Sequence, residues 1–150
     1  MTRKLKRILI AIDDTPSSAA AIDQGLALAA DEEAEVVFVN VVSIVGEQFV
    51  HGDGKPERVP DRAKTEVLID ACAKAEELSV PCTTELLVGY PPTQIAALAE
   101  ELDVDLVVVG SRHLTGVKRF LLGSTSRALI GDAKRPLLVV PEPAPVPALT

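Results

Sequence analysis

The sequence predicts a single α/β domain built on a doubly wound parallel sheet. Three observations carry this reading. Short apolar runs rich in Val, Ile and Leu occur at residues 8–12, 36–42, 106–109 and 137–140, and a further strand-like segment opens at Pro81 and runs through Leu86-Leu87-Val88. Such runs suit strands buried on both faces, the usual setting of a parallel sheet. Between them lie segments with apolar residues at helical spacing, so the order is β-α-β-α-β-α-β-α-β. Finally, 150 residues make one domain, long enough to bury about 70% of the surface exposed by the unfolded chain.

The first run stops at Asp13-Asp14-Thr15-Pro16. Thr15 is an N-cap type, and Pro16 fits the first helical turn, where an N–H is not needed. Ile22, Leu26 and Ala29 then form one helical stripe, and residues 36–42 make the second strand. Val67, Ala71, Ala75 and Leu78, at i, i+4, i+8 and i+11, mark a second helix. Pro81 opens the third strand, which runs through Leu86-Leu87-Val88 and stops at Gly89. Pro91-Pro92-Thr93 starts a helix with its stripe at Ile95, Leu98, Ala99 and Leu102. The fourth strand ends at Gly110, Gly123-Ser124 opens a last helix, and Pro136 begins the fifth strand. Residues 43–60, containing Gly46, Gly52, Gly54, Pro56 and Pro60, read as a long mobile connection. Residues 142–150 read as a proline-rich tail, which leaves the domain over residues 1–141.

Composition excludes several function classes. Aromatics are 3% of the chain, with no Trp, one Tyr and three Phe, so the core is aliphatic and base-stacking platforms for single strands are disfavoured. A net charge of −7 and a pI near 4.8 speak against nucleic acid and anionic membranes as partners. No apolar stretch approaches the roughly 18 residues of a membrane span. The opening residues lead straight into a strand with no apolar leader core, and Cys72 and Cys82 form no disulfide framework. A cytoplasmic, reducing location is the expectation.

Ligands of open parallel sheets sit beyond the carboxyl ends of the strands, where the winding reverses. That directs attention to Asp13-Asp14 and to residues 110–126. No acidic residue lies between Asp105 and Asp132, whereas Arg112, Lys118, Arg119 and Arg127 do. Gly110, Gly116 and Gly123 let backbone N–H groups approach a ligand closely. Ser124 and Ser126 stand at a helix N-terminus, where free N–H groups and the dipole favour an anion. Two readings stay open at this point: a phosphate cradle, or a solvated loop in which Ser124 only caps a helix. A P-loop is disfavoured because Val117 follows Gly116 and no Lys adjoins Gly123; Gly-x-Gly-x-x-Gly does not occur.

Several stretches carry a more specific resemblance. They are Ile8-Leu9-Ile10-Ala11-Ile12-Asp13-Asp14-Thr15-Pro16-Ser17-Ser18, then Val37-Phe38-Val39-Asn40-Val41-Val42, then Asp105-Leu106-Val107-Val108-Val109-Gly110-Ser111-Arg112. Leu121-Leu122-Gly123-Ser124 and Arg135-Pro136-Leu137-Leu138-Val139-Val140-Pro141 complete the set. These resemble the first strand and turn, the second strand and the C-terminal signature of the universal stress protein family. The resemblance covers the chain apart from residues 43–60 and the tail. It implies a five-stranded Rossmann-like sheet, with strand order 3-2-1-4-5 and helices on both faces. It also implies a homodimer through the last strand, here between Pro136 and Pro141.

In the ATP-binding branch the resemblance implies a Gly-x2-Gly-x9-Gly-Ser/Thr loop. Gly110 takes the first glycine, and Gly123 with Ser124 the last pair. Gly116, Thr125 and Ser126 fall at phosphate contacts, with Arg112 in the same loop. Asp13 and the backbone of Ala11 and Val41 would line the adenosine pocket, with Mg beside Asp13 as an option. His113 departs from the pattern by standing in place of the second glycine. A positive φ there would strain a His. Its ring would crowd the nucleotide, assist an anion when protonated, or turn outward.

The resulting expectation is a stress-response protein that binds ATP between strands 1 and 4 as a regulatory ligand. With no positioned general base, hydrolysis is expected to be slow or absent, and no catalytic residue is assigned. A stress protein without nucleotide that acts through dimerisation and partner docking is one alternative; a slow ATPase is another. Asp13-Asp14 is also similar to the acidic pocket of a response-regulator receiver. However, Gly110 stands at the best candidate for the phosphoacceptor Asp, and Lys134 precedes the final strand. His51 and Asp53 do not amount to a zinc site. Cys72 and Cys82 read as core thiols without a basic sequence neighbour, which makes redox sensing a minor reading. Tyr90 belongs to a helix-entry turn or to the rim of a nucleotide.

Overall fold

The computed structural model describes residues 4–42, 55–59, 64–111 and 134–142. Within them run β1 (Arg7–Ala11), α1 (Pro16–Glu32), β2 (Glu35–Val42), α2 (Glu66–Glu77), β3 (Cys82–Val88), α3 (Pro91–Glu101), β4 (Leu106–Gly110) and β5 (Leu137–Val140). The sheet order is β3-β2-β1-β4-β5, with every neighbouring pair parallel. Both the order and the parallel winding match the sequence expectation. The helix expected to open at Gly123-Ser124, the proline-rich tail from residue 143 and most of the 43–60 connection lie outside the described residues.

β1 sits at the centre, where Ile8, Leu9 and Ile10 have no exposed surface. Alternation along the strand sends Ile8 and Ile10 to one face and Leu9 to the other. The first face is covered by α1 and α2 through Ala21, Ile22, Leu26, Leu68, Ala71 and Ala75. The second is covered by α3 through Ile95, Leu98 and Ala99. Right-handed crossovers explain the division. The chain steps outward from β1 to β3 with helices on one face, then returns through α3 on the other to place β4 beside β1. The winding therefore reverses between β1 and β4.

Local chemistry sets the details. Gly25 lets α1 lie close on the sheet, since a Cβ there would overlap Ile10 Cδ1. The three α→β turns among the described residues use the same device. Glu33, Ser79 and Asp103 adopt positive φ of 56°, 56° and 50°. The next residues, Ala34, Val80 and Val104, return their N–H groups to Ala29, Ala75 and Ala99 and are buried. This is the Schellman arrangement, with non-glycine residues in the left-handed position. Leu78, expected on the apolar stripe of α2, is instead half exposed. The helix ends at Glu77, and the stripe stops at Ala75.

Part of the segment expected as a mobile connection is tied to the sheet. Arg58 bridges Leu87 in antiparallel fashion. Val59 N donates to Leu86 O, and Val88 N to Glu57 O, both at 3.0 Å. Glu57 N also donates to Gln94 Oε1 at 2.7 Å. Residues 55–59 thus cover the outer edge of β3, an edge that would otherwise present unpaired backbone groups.

Candidate functional site

The carboxyl ends of β1 and β4 meet at the winding reversal, where this fold places ligands. Ala11 ends β1 opposite Val39. Val41 lies further along β2, opposite Leu87. Ala11 and Val41 both pack against the apolar cluster on the α3 side, so they share one face at the upper end of the sheet. Asp13 follows β1, and Gly110 ends β4. The structure therefore brings Ala11, Asp13, Val41 and Gly110 to one end of the sheet. Arg112, His113, Gly116, Gly123, Ser124, Thr125 and Ser126 lie outside the described residues.

Asp13 organises the turn into α1. Its Oδ1 accepts from Thr15 N and from Ser18 Oγ, each at 2.9 Å, and from Thr15 Oγ1. Ser18 Oγ accepts in return from Asp13 N at 2.7 Å. Thr15 does occupy the N-cap position with extended backbone, but its side chain makes no cap hydrogen bond. The Thr15 hydroxyl instead donates to Asp13 Oδ1.

Ser17, Ser18 and Ser111, which in the sequence carry only the family resemblance and no site role, complete this end of the molecule. Ser17 is buried and donates its hydroxyl to Ser111 O. Ser111 N donates to Val140 O at 2.8 Å. A chain of contacts therefore runs from α1 through β4 to β5. Ser111 is 2% exposed, and its Oγ has no hydrogen-bond partner among the described residues. The available signal was two serines placed just after a strand-end Asp, at the start of a helix aimed at a second strand end.

Gly110 has a different reason for being glycine from the one expected. A Cβ there would lie 2.5 Å from Ser17 O and 2.6 Å from Ser17 C. Its missing side chain admits the first turn of α1. Tyr90 is exposed and stands at the N-cap of α3 without capping it by side chain. Among the described residues, no group of three or more His, Cys, Asp or Glu is arranged to hold a metal ion. No helix among them is long and apolar enough to cross a membrane.

The sequence profile of the universal stress protein family matches residues 4–141. The chain belongs to that family. Universal stress protein MJ0531 of Methanocaldococcus jannaschii is 33% identical over 141 residues, covering 92% of this chain and 83% of that protein. Universal stress protein YxiE of Bacillus subtilis is 33% identical over 149 residues, covering 89% and 97%. Two solved structures share the fold at lower identity. A universal stress protein in complex with cAMP superposes with a TM-score of 0.71 at 22% identity, covering 94% of this chain and 100% of that one. A universal stress protein family protein of Arabidopsis thaliana with AMP bound gives 0.66 at 18% identity, covering 93% of each. The universal stress protein fold thus accounts for the observed strand order and for the winding reversal between β1 and β4.

Proposed function

We propose that this universal stress protein binds an adenine nucleotide, ATP, in the cleft between β1 and β4. One observation carries the reading: the winding reversal brings Asp13, just after β1, and Gly110-Ser111, at the end of β4, to one end of the sheet, where Ser17 of α1 bonds Ser111. Two family members of known structure hold cAMP and AMP, which supports an adenine ligand here. Asp13 and the backbone of Ala11 and Val41 take the adenosine. Arg112, Gly116, Gly123, Ser124, Thr125 and Ser126 take the phosphates, with Mg accompanying them beside Asp13. The nucleotide acts as a regulatory ligand, stabilising one state of a cytoplasmic homodimer that pairs through β5.

Mass spectrometry of small molecules released from denatured protein tests the reading, followed by calorimetric titration of the stripped protein with Mg-ATP, AMP and cAMP. A stoichiometric adenine nucleotide, with ATP the tightest of the three, is the expected result. Tighter AMP or cAMP would keep the cleft and remove the triphosphate assignment. No heat with any of the three at millimolar concentration would refute the proposal. His113, in place of a loop glycine, favours one second reading, a module without nucleotide that works through dimerisation and docking. On that reading His113→Gly creates ATP affinity that the parent lacks. A slow ATPase instead requires magnesium-dependent phosphate release that both Gly123→Val and Ser124→Ala abolish.

A further inference from the structure

Ten residues apart in sequence, Cys72 and Cys82 come together in space. Cys72 lies on α2 one turn before Ala75, and Cys82 is the first residue of β3. The chain runs out along α2, turns through Ser79 and Pro81, and comes back along the sheet edge. This hairpin leaves the two sulfurs 3.3 Å apart. Both thiols are free and only partly buried, while their apolar sides pack against the core cluster beneath α2. They are the only two cysteines in the chain. A disulfide needs the sulfurs at about 2.05 Å. Closing the bond requires an approach of roughly 1.2 Å.

We propose that Cys72 and Cys82 form a reversible intramolecular dithiol–disulfide pair that answers hydroperoxides. Cys82 Sγ lies within hydrogen-bond distance of Cys72 Sγ, so a sulfenic acid formed on one sulfur is within reach of the other thiol. In the first step Cys72 thiolate attacks a peroxide oxygen. The O–O bond breaks, hydroxide leaves and takes up a proton, and Cys72 becomes a sulfenic acid. In the second step the Cys82 sulfur attacks the Cys72 sulfur, and the sulfenic hydroxyl leaves with the Cys82 proton as water. Overall two thiols and one hydrogen peroxide give one disulfide and two waters; the thiols lose two electrons and the peroxide gains them.

The surroundings agree with this order. Burial, then the bond to Cys72, pushes the Cys82 thiol up to about 12, with Glu76 raising it further and Lys64 opposing. Cys82 is therefore a poor first nucleophile and is placed to resolve. A Cys72 sulfenic acid meets Cys82 before a second peroxide reaches it. The pair lies at the amino end of β3, at the opposite end of the sheet from Asp13 and Gly110. Its oxidation stands or falls independently of nucleotide binding.

The test uses the full-length protein, treated with hydrogen peroxide, alkylated under denaturing conditions and weighed intact. Alkylation is expected to fall from two groups per chain to none, with a mass loss of two hydrogens and full recovery after dithiothreitol. Two alkylated thiols after treatment that oxidises free cysteine in the same tube would overturn the proposal, as would a covalent dimer on a non-reducing gel. Single variants test the order. In Cys82→Ser, a sulfenic acid at Cys72 is trapped by dimedone. In Cys72→Ser, trapping at Cys82 is slower on the order of tenfold or more. The reverse pattern would overturn the assignment of Cys72 as the attacking sulfur. Equal melting temperatures of parent and variants under reducing conditions confirm that both variants are folded.

Discussion

Gly110→Ala is the sharpest probe of how this end of the molecule is built. Gly110 lies in a strand, and among the described glycines only Gly89 has a positive φ, so alanine suits the backbone at 110. Considered without its neighbours, the change should stabilise by roughly 0.4–1 kcal/mol through the unfolded chain. The neighbours reverse the sign. The new Cβ would sit 2.5 Å from Ser17 O, 2.6 Å from Ser17 C and 2.8 Å from Ser17 Cβ, and two of those three atoms are backbone. Relief requires the first turn of α1 to retreat by roughly 0.5–1 Å, a forced core shift of the kind that costs about 1–3 kcal/mol. That retreat also stretches the Ser17–Ser111 hydrogen bond, worth about another 1 kcal/mol.

The net expectation is a loss of about 2–3 kcal/mol. For a chain of this size that lowers the melting temperature by about 4–12 °C. Thermal and urea unfolding read it directly, with Gly25→Ala as the comparison. There the clash is with the Ile10 side chain, and alanine recovers about 1 kcal/mol of helix propensity, so the loss should be the smaller of the two. A Gly110→Ala protein that melts within about 1 °C of the parent would refute the claim that α1 abuts the end of β4.

Four other outcomes are expected. Asp13→Ala strips the acceptor from Thr15 and Ser18 and costs about 2 kcal/mol in chemical denaturation. Asp13→Asn keeps the Oδ1 acceptor and should retain most of that stability, while lowering nucleotide affinity if the charge faces the ligand. Arg58→Ala should cost under about 1 kcal/mol at pH 7, as Arg58 and Glu101 are exposed and Glu85 is partly so. The Arg58 hydrogen bond holds Glu101 below its usual range, so the contribution is complete above about pH 4.3 and fades as pH falls through the lowered value. Melting curves of parent and variant should therefore converge in acid; a gap that persists would refute the pairing. Glu33→Gly relieves a left-handed residue and should raise the melting temperature by about 1–4 °C. Val139→Lys, on the edge strand β5, should make a sedimenting dimer monomeric; an unchanged dimer would place the interface elsewhere.

The sheet was legible because burial on both faces writes itself as uninterrupted runs such as Ile8-Leu9-Ile10 and Val107-Val108-Val109. Helix existence was likewise carried by periodicity. What pattern could not carry was any contact between distant segments. The approach of Ser17 to Gly110 links residues 93 apart, and nothing local marks it beyond a glycine that a phosphate loop would explain equally well. The Cys72–Cys82 pair needs a helix, a turn and a strand in register before ten residues fold back on themselves. The Arg58 strap was hidden by its composition, since glycines and prolines announce a connection and are silent about where it lands. The α→β turns were silent for a related reason. Glu33, Ser79 and Asp103 take a position that a sequence reader searches for under Gly, and their αL strain is met by burying Ala34, Val80 and Val104.

These findings redistribute the weight within the candidate nucleotide site. Gly110 would be glycine in this packing with or without a ligand, because α1 occupies the space of its side chain. Asp13 would be retained to close the turn into α1, because no neutral residue accepts from three donors as strongly. Both positions therefore belong to the scaffold as much as to the site. The power to discriminate a nucleotide binder from a docking module lies with residues that the scaffold does not demand. Ser124 and His113 are the two on which the proposed readings differ, the first as the hydroxyl residue of the Gly-Ser/Thr pair that the family resemblance implies and the second in place of that pattern's second glycine. Comparing His113→Gly and Ser124→Ala in a background where Gly110 and Asp13 are untouched isolates ligand chemistry from folding. A change in ATP affinity at constant melting temperature can then come only from the loop.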